Sequence, residues 1–249
     1  MSTFQLFSLK GRRALVTGSS QGIGFGLAVG LAQAGAEVVL NGRDKKKLDE
    51  AVAVLKSNDH RAFGKAFDVT NKVDVQNSID QIEHKIGPID ILINNAGMQF
   101  RTPLEDYPDE KFDELLRVNI KSVFLVGQTV ARHMITRKKG KIINICSVQS
   151  ELGRPSIAPY TATKGAVKML TKGMCADWAH HGLQINAIGP GYFKTPLNQA
   201  LVDNQEFSAW LEKRTPAGRW GNVEELVGAA IFLASDASSF VNGHVLYVD

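Results

Sequence analysis

Tyr160 and Lys164 stand four residues apart, just after Pro159. On a helix that spacing places both side chains on one face, one turn from each other. A proline suits a first helical turn, so the helix is expected to begin near Pro159. A free phenol titrates near ~10 and is a poor base at neutral pH. A lysine ammonium held close, with the positive end of a helix, favours the phenolate and makes the pair a proton carrier. Ser147 follows the apolar run Lys141-Ile-Ile-Asn-Ile-Cys146, which reads as a buried strand. A hydroxyl at that strand's carboxyl end can hydrogen-bond the oxygen of a substrate carbonyl or alcohol. The chemistry these residues suit is proton transfer at an oxygen while a hydride moves at the adjacent carbon. A second pair with the same spacing, Tyr107 and Lys111, has acidic residues between its members and no serine at a strand end before it. It reads as a loop leading into a surface helix.

A hydride needs a carrier, and the start of the chain offers one a seat. Val16-Thr-Gly-Ser-Ser-Gln-Gly-Ile-Gly24 runs from an apolar segment into a helical pattern. Glycines at 18, 22 and 24 permit a tight turn and let backbone amides approach a pyrophosphate at the helix N-terminus. At the end of the second apolar run the sequence is Val39-Leu-Asn-Gly-Arg-Asp44. A carboxylate there would hold the ribose 2′-hydroxyl of NAD, whereas an arginine suits the 2′-phosphate of NADP. Arg43 therefore favours NADP, with NAD possible. Asp68, closing the third run, is a candidate for the adenine amino group. Small residues in Asn94-Asn-Ala-Gly97 would let a cofactor lie close to the backbone.

These segments need a frame that brings strand ends together. Short β-rich runs at 13–17, 37–41, 62–68, 89–94, 141–146, 184–188 and 244–248 alternate with helical patterns, as in a parallel sheet covered by helices. The runs barely alternate in polarity, as expected for strands buried on both faces. The longest helical stretches are expected over 109–137 and 160–181. With 249 residues, 44% of them hydrophobic, the chain is long enough for one α/β domain with a large core. No apolar stretch approaches the ~20 residues of a membrane span, and the N-terminal residues lack the pattern of a signal peptide. The two cysteines make no metal spacing, and a reducing, cytoplasmic setting without a disulfide is expected. The net charge of +4 is modest, and the basic runs Lys45-Lys46-Lys47 and 137–141 read as solvated surface rather than as a nucleic-acid contact.

Taken in order, Thr17-Gly-x3-Gly-Ile-Gly24, Asn94-Asn-Ala-Gly97, Asn119, Ser147, Tyr160-x3-Lys164 and Pro190-Gly191 resemble the short-chain dehydrogenase/reductase family across essentially the whole chain. That resemblance implies a Rossmann-type, doubly wound, seven-stranded parallel sheet with helices on both faces. It implies Tyr160 as general acid/base, Ser147 as the group orienting the substrate oxygen, and Lys164 as the holder of the nicotinamide ribose. Asn119 would fix a water in the proton relay. Cofactor contacts would come from Gly18, Ser20, Gly22, Ile23 and Gly24, from Arg43, Asp68 and Val69, and from Asn95, Ala96 and Gly97. Tyr160, Lys164, Pro190, Gly191 and Thr195 would complete them on the nicotinamide side. Family members are commonly homotetramers. Most continue past Tyr247-Val-Asp249 with Gly-Gly and a short tail, and a terminus at Asp249 would alter the exit of the last strand and a subunit contact.

Within the family, Ser150-Glu-Leu-Gly-Arg154, Gly189-Pro-Gly-Tyr192, Thr215-Pro-Ala-Gly-Arg-Trp-Gly221 and the last ten residues most resemble the dehydrogenases that act at C5 of gluconate. A sugar acid needs a cation for its carboxylate, and Arg154 and Arg101 lie on loops near the expected carboxyl edge of the sheet. Ser147 and Tyr160 would meet the reacting oxygen, and residues near 192–215 are placed to form a substrate lid. Two other readings are consistent with the motifs. One is a reductase of another carbonyl, such as a 3-oxoacyl-thioester or a cyclic ketone. The other is a non-catalytic NADP-binding scaffold, which the retained Asn119, Ser147, Tyr160 and Lys164 disfavour.

Overall fold

The computed structural model describes residues 3–249; Met1 and Ser2, part of the N-terminal stretch read above for a leader, lie outside the described residues. Seven parallel strands form one sheet in the order β3-β2-β1-β4-β5-β6-β7. They are β1 (Arg13–Val16), β2 (Glu37–Gly42), β3 (Ala62–Ala66), β4 (Ile91–Asn94), β5 (Gly140–Ile145), β6 (Leu183–Pro190) and β7 (Val245–Val248). The order reverses between β1 and β4, and at such a switch point the loops leaving neighbouring strands diverge and open a crevice. The doubly wound, single-domain fold expected from the sequence is the one observed.

The helices are α1 (Gly22–Gln33), α2 (Lys45–Ser57), α3 (Lys72–Lys85), α4 (Asp109–Leu116), α5 (Ser122–Arg137), α6 (Ala158–Trp178), α7 (Gln199–Val202), α8 (Gln205–Arg214) and α9 (Val227–Ala234). Alternation along the strands divides the core in two. Val16, Leu40, Ile93 and Ile145 face Leu27, Leu31, Leu48 and Leu233 of α1, α2 and α9. Leu15, Val39, Leu92 and Ile142 face Ile79, Val130, Met134 and Val167 of α3, α5 and α6. A strand with apolar side chains in both directions shows little polarity alternation, which is why the sequence pattern was continuous.

The sequence suggested one helix over 109–137, and the structure breaks it. Residues Arg117–Lys121 form a π-helical turn between α4 and α5, with the Ser122 N–H donating to the Arg117 carbonyl five residues back. Such a turn inserts one residue into the helical repeat and often marks a functional position. Asn119 sits in it, buried. β3 and β4 are shorter than expected, ending at Ala66 and beginning at Ile91, whereas β6 runs on to Pro190. In the last of these, Gly189 and Pro190 still pair with Tyr247 and Val248 of β7.

Buried polar side chains tie the sheet to its helices. Asn94 Nδ2 donates to Asn144 Oδ1 at 2.9 Å, and Asn144 Nδ2 to Thr171 Oγ1 at 2.9 Å. This links the ends of β4 and β5 to α6. At the opposite edge, one basic residue departs from its expected place on the surface. Lys141 is only 5% exposed, and its Nζ donates to the Ser238 carbonyl and hydroxyl. A long aliphatic stem next to an apolar strand can be buried while the amine reaches a polar partner.

Burial, reinforced by Arg12 and partly offset by Asp236, pushes the Lys141 amine down from 10.5 to about 8. The unfolded chain therefore binds the extra proton between pH 8 and 10.5, so folding stability attributable to Lys141 rises with pH through that window. Relative to Lys141→Met, the wild-type protein should gain on the order of 2–3 kcal/mol across it. Denaturant midpoints of both proteins at pH 7.5 and 10.5 check this; a constant difference would remove Lys141 as a titrating group.

Candidate active site

The carboxyl ends of β1, β2, β4, β5 and β6 surround a cleft of ≈ 800 Å³. The chain crosses it first at the glycine turn. Gly18 adopts φ +60°, and a Cβ there would come within 2.9 Å of Ala96 Cα. A Cβ at Gly24 would overlap Asn95 Nδ2 and the Gly18 carbonyl. The glycines therefore let α1 and the loop after β4 close on one another as well as admitting a ligand. Gly18, Ser20, Gly22, Ile23, Gly24, Asn95, Ala96 and Gly97 all line the cleft.

Two residues to which the sequence reading gave no role hold this turn. Buried Thr17 accepts through Oγ1 from the N–H groups of Asn95 and Ala96, at 3.0 and 3.1 Å. Asn41, buried at the end of β2, accepts from the Gly18 N–H and donates to the carbonyls of Lys65 and Phe67. Both are ordinary strand residues in the linear sequence; only the adjacency of β1 with β2 and β4 reveals their partners.

Arg43 is exposed and lines the cleft directly after β2. Asp44, not Arg43, caps α2, accepting from the Lys47 N–H. Asp68 and Val69 line the same end. Burial raises the Asp68 carboxyl, but the Thr70 N–H and hydroxyl, with Arg43 and Arg117 further off, outweigh it and hold the group below its ordinary value. An exposed guanidinium lining the same cleft as the glycine turn fits a dinucleotide bearing an additional phosphate on its adenosine ribose.

At the other end of the cleft Tyr160 occupies the third position of α6, and the Lys164 Nζ lies 5.7 Å from its ring centroid. Lys164 is buried and donates to the Ile145 carbonyl at 2.7 Å, which fixes the ammonium between β5 and the tyrosine. Ser147 Oγ accepts from the Gln149 N–H at 3.1 Å, leaving its own proton free for an oxygen in the cleft. Ser147, Tyr160 and Lys164 line the cleft together with Pro190, Gly191 and Thr195.

Asn119 is close by but fully engaged. Its Oδ1 accepts from the Met98 N–H at 2.8 Å, and its Nδ2 donates to the Met98 carbonyl and to Thr163 Oγ1. Thr163 in turn donates to the Tyr160 carbonyl. The Asn119 amide thus clamps the loop after β4 to the turn of α6 that carries the tyrosine, and backbone groups are what it leaves for a bound water. Thr163 was invisible in the sequence because the partner that gives it this role, Asn119, lies 44 residues away in another element.

The two candidate arginines separate. Arg101 lines the cleft, half-buried, with Nη2 on Gln99 Oε1 at 2.7 Å and Asn198 Oδ1 at 3.2 Å. Its buried Nε has no partner, and among the described residues no carboxylate pairs with it. Burial, and then the charge of Arg154, push it below the ordinary arginine value, while Tyr192 and Tyr160 act the other way. Arg154 stands outside the lining, donating from Nε to the Tyr192 hydroxyl at 2.7 Å and stacking over Phe207. Tyr107 and Lys111 do not line the cleft; Lys111 pairs with Glu114 along α4.

Comparison with known proteins agrees with this geometry. The short chain dehydrogenase family profile matches residues 12–206. The chain is 62% identical over 249 residues to a gluconate 5-dehydrogenase of Gluconobacter oxydans, covering 100% of this chain and 97% of that one. It is 53% identical to a 5-keto-D-gluconate 5-reductase of Escherichia coli over 98% of this chain and 96% of the other. A crystal structure of a gluconate 5-dehydrogenase from Burkholderia cenocepacia in complex with NADP and tartrate superposes with a TM-score of 0.97, at 58% identity, over 100% of this chain and 97% of that one.

Replacing Thr17 with valine keeps its shape but strands two backbone N–H groups, so stability should fall by about 2 kcal/mol. Chemical denaturation measures this directly, and an unchanged midpoint would mean that other groups satisfy those N–H groups. The glycine turn, the Ser147–Tyr160–Lys164 set and the family match together place the chain in the short-chain dehydrogenase/reductase family.

Proposed function

We propose that the cleft catalyses the reversible oxidation of D-gluconate at C5 to 5-keto-D-gluconate, with NADP preferred over NAD. The observation that carries this reading is Arg101, a half-buried guanidinium without a carboxylate partner among the described residues, lining the same cleft as Tyr160 and Tyr192. A buried cation lacking its counter-ion is costly unless a ligand supplies one. A sugar acid supplies it, and it places the carboxylate at one end of the cleft and a secondary alcohol at the other. A cyclic ketone or an uncharged acyl chain would leave Arg101 unpaired. Support comes also from the Gluconobacter and Escherichia relatives and from the Burkholderia structure holding NADP and tartrate.

The chain's residues then divide the work. Arg101 seats the carboxylate. Ser147 donates its free hydroxyl proton to the C5 oxygen, and Tyr160 receives that oxygen's proton during oxidation. Lys164, fixed on the Ile145 carbonyl, keeps a positive charge beside the tyrosine and reaches the nicotinamide ribose. Asn119 holds Tyr160 in place through Thr163. The bound dinucleotide supplies the hydride acceptor for oxidation and the donor for reduction. Arg43 holds the 2′-phosphate, Asp68 and Val69 the adenine end, and Gly191 and Thr195 the carboxamide. The segment 192–215, with Asn198 hydrogen-bonded to Arg101, acts as the lid. Expelling water on closure strengthens every charged contact inside.

The same reading includes a homo-oligomer, a tetramer as is common in the family, in the reducing cytoplasm. Phe124 on α5 and Met169 on α6 are 43% and 60% exposed, apolar surface that a second copy would cover. Cys146 and Cys175 are both free thiols, and no helix among the described residues is long and apolar enough to cross a membrane.

The wild-type protein should reduce NADP with D-gluconate and yield the 5-keto acid. Tyr160→Phe should lower turnover by roughly 10³-fold while NADP still binds. Silence of the wild type with gluconate, followed by activity with another alcohol, would overturn the substrate; near-normal turnover of the variant would overturn the role of Tyr160. Arg43→Asp should shift the NADP/NAD ratio of kcat/KM toward NAD by at least about tenfold, since it replaces a phosphate-binding cation with a ribose-binding carboxylate. An unchanged ratio would remove Arg43 from the cofactor site.

A further inference from the structure

We propose that Gln149 and Tyr192 read the hydroxyl groups of the substrate chain, so that the site selects a polyhydroxy acid over an otherwise similar deoxy acid. The proposal rests on the gluconate reading above and gives a substrate contact to Gln149 and to Tyr192 at the start of the lid.

Gln149 is 6% exposed, lines the cleft and presents a buried Oε1 with no hydrogen-bond partner. Its backbone N–H is fixed on Ser147 Oγ, so its side chain is registered to the residue that meets the reacting oxygen. A buried acceptor without a donor destabilises the protein, and a native protein retains one where a ligand completes it. A hydroxyl proton of the substrate is the complementary group.

Tyr192 offers the opposite polarity. It lines the cleft, and its hydroxyl oxygen accepts from Arg154 Nε at 2.7 Å. A hydroxyl that accepts from a guanidinium retains its own proton to donate, and among the described residues no acceptor takes it. The ring is held edge-to-face by Phe207, Trp210 and Trp220, at centroid distances of 5.7, 6.4 and 5.8 Å. The donor is therefore rigid. Arg154 stands behind Tyr192 and acts through it as a positioning residue. Each hydroxyl of a sugar acid both donates and accepts; the cleft provides an unpaired acceptor, Gln149, and a fixed donor, Tyr192, besides the cation that takes the carboxylate. A site built to pair with a hydroxyl rejects the analogue that lacks it, because its own buried groups are then left unpaired.

The test is steady-state oxidation with NADP of D-gluconate and of the four monodeoxy acids lacking the hydroxyl at C2, C3, C4 or C6. Gln149→Met and Tyr192→Phe should each lower kcat/KM for gluconate by roughly 10- to 100-fold, mainly through KM, with NADP affinity unchanged. For one deoxy acid each variant should match the wild type within about twofold, which identifies the hydroxyl it reads. Because Gln149→Met removes an unpaired acceptor, its Tm should stay level or rise; a lower Tm would show a structural role and overturn the assignment of Gln149. Arg154→Met should weaken gluconate oxidation in the wild type yet change the Tyr192→Phe variant by less than about twofold. Equal losses on all four deoxy acids, or no loss on gluconate, would overturn the proposal while leaving the gluconate reading intact. A wild-type protein silent on gluconate would overturn that reading and this inference with it.

Discussion

Parallel strands all present their carboxyl ends at one edge of the sheet, and the loops that leave there carry backbone groups that the ladder no longer pairs. Satisfying those groups without water is the constraint on which this site depends. Side chains provide much of the solution: Thr17 for the amides of Asn95 and Ala96, Asn41 for the Gly18 amide, and Asn119 for both polar groups of Met98. The result is a rim of short loops held by buried amides and hydroxyls rather than by apolar packing alone. A few polar atoms at this rim remain unpaired, among them Arg101 Nε, Gln149 Oε1 and Thr195 Oγ1. All three residues line the cleft. The same accounting that explains the rigidity of the rim thus marks where a ligand belongs.

The two ends of the cleft are built on different physics. At the glycine turn, close backbone approach and the start of α1 suit a phosphate through backbone N–H groups. At the tyrosine end, every group is a side chain fixed from at least one other element. Lys164 rests on β5, Tyr160 is linked through Thr163 to the turn between α4 and α5, and Ser147 is tied to Gln149. The cofactor end depends on its small residues and on Thr17 and Asn41, which hold the turn. The tyrosine end depends on named partners.

That difference explains how much could be read from the chain alone. The fold was legible because β1 through β7 are buried on both faces and their apolar runs are continuous. The glycine turn, Ser147, Tyr160 and Lys164 were legible because local spacing alone brings them together or places them at strand ends. Thr17, Asn41, Thr163 and Gln149 were not, since each acts on a residue tens of positions away or on a ligand, and none has an unusual local pattern. The interruption of the helix over 109–137 was hidden because one extra residue leaves the apolar periodicity on either side almost unchanged. Lys141 misled for a related reason: a charge cluster in sequence says nothing about which member turns inward. Arg154 lay on the loop expected for a ligand, but its guanidinium faces an aromatic cage.

The π-helical turn at Arg117–Lys121 makes this region unforgiving in length. One residue in an α-helix corresponds to roughly 100° of rotation. Removing a single residue from the turn would restore a regular helix, yet it would also rotate the whole of α4 relative to α5 by about that angle. Leu115, buried beneath α4, and the buried face of α5 could not both stay against their present neighbours. Asn119 would lose its place opposite Met98. Tyr160 is thereby held in register by the count of residues in a neighbouring helix, so substitutions at this turn are graded in effect while insertions and deletions are all-or-none.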